Sequence, residues 1–412
     1  MKRKKTKVLL FLKFKIRYNI NGDNMEKIKR CGYELIVILF LLIQPILDMM
    51  AGFDFGIFHT VIRGLFFGFM IIYLLWNPKS RKWMIPYLLA IGVYFFYYFF
   101  YFHFSMIDTL NNTLKLFYLP VVCIFFYVFE TKILSPSIAA FNLFLYVLLF
   151  VLSYVFGFGF NNYDPANSAK LGFRGVFNSI NEISAIIIAL LPVATEYILR
   201  KKKYIFLFVL YVLTIITSLL MGTKVTLGGI FIVILYFILP LCYKKWRNMT
   251  KTSKIITGVI SLTGFFLCCY LFTFTTTFQN MVIQADFFHV ESIFSIDFIN
   301  RVLFNDRLSF LAINWQQFIT HYPVEWLFGI GFHTTFKLVE IDFFDILFRY
   351  GIVGMILLFL PLIYLGWKVY KKNIYFFAFA LLLLISCTSG HVLIYPAVAI
   401  YFGFLIFFCK NE

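Results

Sequence analysis

The sequence predicts an all-α membrane protein: a polytopic bundle of about 12 transmembrane helices, with one large outer-face loop carrying short amphipathic helices. Three observations predict it. The chain is 62% hydrophobic with a mean hydropathy of +0.87, beyond any ordinary soluble domain. Its apolar runs are continuous over the ~20 residues that cross a bilayer, not alternating over ~10 as in barrel strands. Basic residues recur after every second run, as the positive-inside rule requires of a multi-pass chain.

Residues 1–33 are basic and lack the apolar core and small-residue cleavage site of a signal peptide. They read as a cytoplasmic tail that can lie on anionic lipid, with Met25 as an alternative start. Apolar spans follow at 34–51, 57–76, 85–104, 114–130, 138–156, 181–199, 204–221, 225–243 and 255–276. Then comes a polar segment, 277–345, and spans at 346–366, 374–389 and 391–409. The chain thus divides into a tail (1–33), nine spans with a loop at 157–180 (34–276), a large loop (277–345) and three closing spans (346–412).

Lys79, Arg81 and Lys82 follow the second span, Lys132 the fourth, Arg200 to Lys203 the sixth, Lys244 to Lys254 the eighth, Lys368 to Lys372 the tenth and Lys410 the last. The other loops are poor in Lys and Arg. Both termini are therefore expected in the cytoplasm, with loops 157–180 and 277–345 facing outward. The net charge of +18 then expresses orientation rather than affinity for nucleic acid. The seven cysteines fall within or beside apolar runs without metal-ligand spacing and read as small buried apolar residues. Aromatic clusters such as Tyr94 to Tyr98 read as packing surface.

Candidate chemistry lies in the loops. Arg174 precedes Asn178, Ser179 and Asn181 at the start of a span, where a helix N-terminus and a cation make an anion site. The same residues also suit a capped helix with Arg174 on lipid headgroups. Lys224, in the short turn Met221 to Thr226, can snorkel or bind a lipid-linked phosphate. Arg307 opens a segment with apolar residues at Leu308, Leu311, Ala312, Trp315 and Ile319, the spacing of an amphipathic surface helix. A cation at a helix N-terminus is unfavourable, which invites either an anionic substrate or a salt bridge to Asp306 or Asp297. Gly329 and Gly331 read as a turn, and His333 follows. Glu340, Asp342 and Asp345 lead into the next span, where Asp345 and Arg349 are spaced to pair. His333, Glu340, Asp342 and His391 are the candidate general bases. Arg63, inside a span, is a secondary candidate with Asp48 or Asp54 as partner. No metal-ligand motif and no nucleotide-binding motif is present, so no cofactor is expected.

Four segments, in order, resemble the O-antigen polymerase and O-antigen ligase family of bacterial membrane glycosyltransferases. They are Arg174 to Glu182, similar to a Gly-x-Phe-x-Asn-x-Asn-Glu run; Gly222-Thr223-Lys224; Asp306-Arg307 through Trp315 to Gly331; and Glu340 to Phe343 through Gly351 to Gly354. The resemblance spans roughly residues 30–409. It implies metal-independent, inverting glycosyl transfer at the outer face of the bacterial cytoplasmic membrane. The donor would be a glycan on undecaprenyl diphosphate and the acceptor another lipid-linked repeat unit or a different anchor. A flippase and a chain-length regulator are the implied pathway partners. Arg174, Lys224 and Arg307 fit the negative charge that develops on the leaving diphosphate. Two departures matter. The family's ligases carry a loop His near the fourth segment, where this chain has Glu340 and Asp342, with His333 upstream; this favours polymerase over ligase. Lys224 stands where an Arg is common, without bidentate phosphate geometry. A transporter of lipid-linked oligosaccharides is the rival of a different class, disfavoured because charge concentrates in loops rather than spans.

Overall fold

The computed structural model describes residues 22–53, 56–162, 172–247, 270–287, 295–331, 339–390 and 392–412, with isolated positions between 250 and 292. The first 21 residues, Asp54, most of the ninth expected span, His333 and His391 lie outside the described residues. The fold is an all-α multi-pass bundle. Among the described residues seven helices are long and apolar enough to cross a membrane, eight if a bent first pair counts as one. Three shorter apolar helices accompany them. The expected count of about 12 is therefore not established.

Proline decides where the first span bends. Helices α1 (Gly22–Leu42) and α2 (Gln44–Gly52) meet at 45°. Pro45 has no N–H to give to the Leu41 carbonyl one turn back. Asn142 of α6 (Ser137–Val155) donates to that carbonyl instead, at 2.8 Å, and so joins the bend to the bundle. Beside it Asp48 accepts from Arg63 of α3 (Gly56–Trp76) and from Tyr146 of α6. The intramembrane Arg63 thus has the partner Asp48, one of the two that its place in the sequence suggested.

Helix α4 (Pro78–Phe96) starts earlier than expected, because Asn77 caps it by accepting from the Lys79 N–H. It continues as a π-helical turn, Tyr97–Tyr101. Helices α5 (Met106–Val128), α7 (Ile180–Arg200) and α15 (Pro396–Asn411) form the centre. The most apolar stretch of α7 is 83% buried, whereas that of α4 with its π-helical turn is 22% buried. Helices α8 (Tyr204–Met221) and α9 (Lys224–Arg247) pack on α7. A two-stranded hairpin, β1 (Phe160–Asn161) with β2 (Phe173–Gly175), closes one end.

The large polar segment folds as α10 (Thr276–Phe287), a π-helical turn (Phe298–Leu303), α11 (Arg307–Ile319) and the short α12 (Pro323–Phe328). Helices α13 (Asp342–Lys368) and α14 (Ile374–Ser386) then lead to α15. The last span begins at Pro396, five residues later than expected. Proline suits a first helical turn, and the preceding Val392 and Leu393 N–H groups are taken by Asp342 at 2.8 and 2.7 Å.

Helix α13 is interrupted at Gly351, whose φ of 65° is left-handed. The break frees carbonyls, and the Gly329–Gly331 turn uses two of them: Ile330 N–H donates to Phe348 and Gly331 N–H to Arg349, both at 3.0 Å. Tyrosines of α4 and of its π-helical turn serve others. Tyr98 donates to Arg349 at 2.8 Å, Tyr94 to Tyr350 at 2.6 Å, and Tyr87 to Leu357 at 2.7 Å. Leu357 is the carbonyl left open by Pro361 four residues on. The aromatic run read as packing is therefore also a ladder of hydroxyl donors. Tyr94→Phe should leave the Tyr350 carbonyl unpaired in an apolar interior, at a cost of about 1–3 kcal/mol. We expect a melting temperature several degrees lower for the detergent-purified protein; an unchanged value would show that the break satisfies itself.

Candidate functional site

The site is assembled from three helix starts and two tight turns. Gly222, left-handed with φ 67°, ends α8 and lets α9 begin two residues later at Lys224. Thr226 of α9 donates to Ser184 of α7 at 2.7 Å, fixing the two helix starts side by side. Asn305 and Asp306 both take left-handed backbone, φ 51° and 65°, which turns the chain sharply into α11 at Arg307. Glu340 is left-handed as well, φ 60°. Such conformations are costly for residues with side chains and cluster where function over-determines them.

These turns bring Lys224, Arg307 and Glu340 to one cavity of about 470 Å³. Its remaining wall is chiefly polar and uncharged: Asn162, Ser179, Asn181, Asn280, Gln284, Asn305, Thr388 and Ser389. Lys224 Nζ donates to Asn305 Oδ1 at 3.0 Å, to Gln284 Oε1 at 3.3 Å and to the Val302 carbonyl. Arg307 is buried; it donates from Nη2 to Glu340 Oε2 at 2.7 Å and from Nη1 to the Thr388 carbonyl. Its Nε is buried with no hydrogen-bond partner among the described atoms, so one donor is spare. The Glu340 side chain keeps 44% of its surface accessible.

Arg307 pairs with neither neighbour that its sequence suggested. Asp306 is held locally by Ser309 at 2.7 Å and Asn300 at 3.4 Å. Asp297 faces Arg301 at 3.8 Å. Glu340 reaches Arg307 because Asp345 accepts the Val339 and Glu340 N–H groups, both at 2.9 Å, and pins that backbone. Gly390 lies against it, where an added Cβ would stand 2.4 Å from the Glu340 Cα. Asp342 is fully buried, accepts from Val392 and Leu393, and does not line the cavity.

Arg174 does not line the cavity either. It sits on β2 with its guanidinium over the Phe160 ring at 5.2 Å, and its Nη1 approaches the Asn178 carbonyl at 3.4 Å. Arg63 lies with Asp48 and Tyr146 among α2, α3 and α6. Sequence reasoning passed over Asn280 and Gln284. A signal was there: Thr277, Asn280 and Gln284 repeat at helical spacing on α10, and all three are buried. In so oily a chain, a buried polar helix face points to a polar ligand or water.

In chemical terms the cavity offers two cations for a polyanion, a carboxylate beside one of them, and amides and hydroxyls suited to a polyhydroxylated substrate. A protein-family model described as O-antigen ligase like membrane protein matches residues 32–297 and 295–408. No curated protein matches the chain. With the family model covering nearly all of its length, the chain belongs to the O-antigen ligase-like family of membrane proteins, a membership that supports a role in surface-glycan assembly or ligation.

Proposed function

We propose that this protein polymerises lipid-linked oligosaccharide repeat units at the outer face of the cytoplasmic membrane, with both termini in the cytoplasm. The observation that carries the reading is the convergence of Lys224, Arg307 and Glu340 on one polar cavity. In this reading the donor glycan enters on undecaprenyl diphosphate, and Lys224 and Arg307 hold the diphosphate. The spare Nε of Arg307 supplies a further donor to it. The acceptor hydroxyl attacks the anomeric carbon; the new carbon–oxygen bond forms as the bond to the diphosphate breaks, and the lipid diphosphate leaves with the electron pair. Inversion follows from attack opposite the leaving group.

Glu340 is the candidate base on the cavity wall. Its Oε2 is engaged by Arg307 Nη2 at 2.7 Å, so that oxygen is not open to an acceptor hydroxyl. Diphosphate competes for the same guanidinium. Donor binding therefore loosens Glu340 and frees it to take the acceptor's proton, so the base is activated only when the leaving group is in place. His333 and His391 remain rival bases, and Asp342 serves in this reading as the anchor of residues 392 and 393. The ligase reading uses the same chemistry with a different acceptor.

The test is direct. Full-length protein in vesicles, given purified lipid-linked repeat units and an excess of EDTA, is expected to form polymer on the carrier. Activity lost with EDTA and restored by a divalent cation would contradict metal-independent transfer. Absence of polymer with and without metal would contradict polymerase function.

A further inference from the structure

Among the buried polar atoms that have no hydrogen-bond partner within the protein, five belong to residues gathered round Asp48. They are Gln44 Oε1, Arg63 Nε, Tyr118 Oη, Asn142 Oδ1 and Glu182 Oε1. Asp48 itself accepts from Arg63 and Tyr146. Gln44 stands one turn before it on α2. Asn142 is joined to it through Tyr401, at 3.0 Å, and then Tyr146, at 3.4 Å. Tyr118 of α5 and Glu182 of α7 lie within electrostatic reach of both Asp48 and Arg63. All five residues are buried inside the bundle.

Glu182 shows that this is no accident of crowding. Ser179 and Glu182 have the Ser-x-x-Glu spacing of a capping box, in which each side chain meets the other's backbone N–H. Glu325 holds that position in α12 and accepts from the Tyr322 N–H at 2.9 Å. Ser179 makes no such bond, and Glu182 turns into the bundle, where its Oε1 goes unmet and Lys115 of α5 is a further charge within reach. A buried carboxylate oxygen without a partner is costly, and a satisfied local arrangement was at hand. Something inside the bundle therefore serves Glu182. Of the five atoms, Arg63 Nε can only donate, whereas Gln44 Oε1 and Asn142 Oδ1 can only accept. Water does both, and a buried water typically makes about three hydrogen bonds to groups of this kind.

We infer that these groups enclose bound water within the bundle, and that Glu182, held by that water, is a positioning residue for the site. Glu182 follows Asn181 in the first turn of α7 and does not line the polar cavity. Holding its carboxylate inward fixes how Ser179 and Asn181 face that cavity. The positioning role rests on the polymerase reading of the cavity; the water pocket does not.

The experiment is pulsed hydroxyl-radical labelling of full-length protein in phosphatidylcholine vesicles in isotope-labelled water, the labelled residues being mapped by mass spectrometry. The radicals form from water itself, so a side chain inside the bundle reacts where water is bound. Tyr118 and Tyr401 should label at least about tenfold faster than Tyr94, which is buried too but bonded to the Tyr350 carbonyl. Glu182→Leu should lower the Tyr118 label and raise KM for lipid-linked units about tenfold, the scale of a slightly misplaced contact. Glu182→Gln, which still bonds water, should restore most of both. Wild-type labelling of Tyr118 and Tyr401 no faster than that of Tyr94 overturns the water pocket. An unchanged KM in Glu182→Leu, or a Glu182→Gln no better than Glu182→Leu, overturns the positioning role. Wild-type protein that labels at Tyr118 but makes no polymer overturns the reading of the cavity while the pocket stands.

Discussion

Cells carrying Arg307→Ala are expected to make at least about 100-fold less polymer than wild type at matched membrane levels, the usual scale for removing a preorganised donor from a developing charge. The structure gives three reasons. Arg307 is buried, so its charge is less screened than one on the surface. Its Nη2 holds Glu340 at 2.7 Å, and its Nε has a donor to spare. Arg307→Lys keeps the charge but loses the fork that spans the carboxylate and the Thr388 carbonyl, so it should recover only a small part of the activity. Normal chain length in Arg307→Ala, by gel electrophoresis of extracted glycan, would remove Arg307 from the site.

Glu340→Gln is the second large effect. The amide keeps the shape and still accepts from Arg307, but it cannot take a proton at neutral pH. Initial rates of polymer formation with lipid-linked units should fall about 100-fold or more, the scale of general-base loss. Gly390→Ala reaches the same carboxylate without touching it. A methyl group there would collide with the Glu340 Cα, displacing a backbone already held left-handed at φ 60°. We expect a loss of about tenfold or more, from a misplacement on the ångström scale. If Glu340→Gln stays within twofold of wild type while Arg307→Ala is dead, the base lies elsewhere, with His333 and His391 next to be substituted.

Legibility followed the range of the interactions. The amphipathic helix at Arg307 could be read from its spacing, and α11 runs over Arg307–Ile319. Its orientation could not. The structure buries Arg307, Asn314 and Phe318 and leaves Leu308, Trp315 and Ile319 exposed, the apolar face a bilayer surface would meet. Lys224 and Arg307 were legible as cations out of place, because charge in an oily chain needs a reason. Their shared cavity was not, because it depends on three left-handed residues that no local pattern announces. The Arg307–Glu340 pair joins residues 33 apart, and the nearer Asp306 is excluded only by its bonds to Ser309 and Asn300. The spans 34–51 and 346–366 were read as unbroken, although Pro45, Gly351 and Pro361 stand in them. The repair of these breaks by Asn142, Tyr94 and Tyr87 was not legible, since each donor comes from a helix other than the one it serves. Arg174 shows the converse: its chemistry suggested a phosphate, and its position shows that it does not share the cavity of the other two cations.

A clean deletion strain separates polymerase, ligase and transporter by what becomes of the lipid-linked units. Lipid carriers would be extracted from each membrane leaflet and their glycans sized by mass spectrometry. Single repeat units are expected to accumulate on carriers in the outer leaflet, with no polymer. Long polymer still attached to its carrier would contradict it in favour of a ligase, and units confined to the cytoplasmic leaflet would contradict it in favour of a transporter.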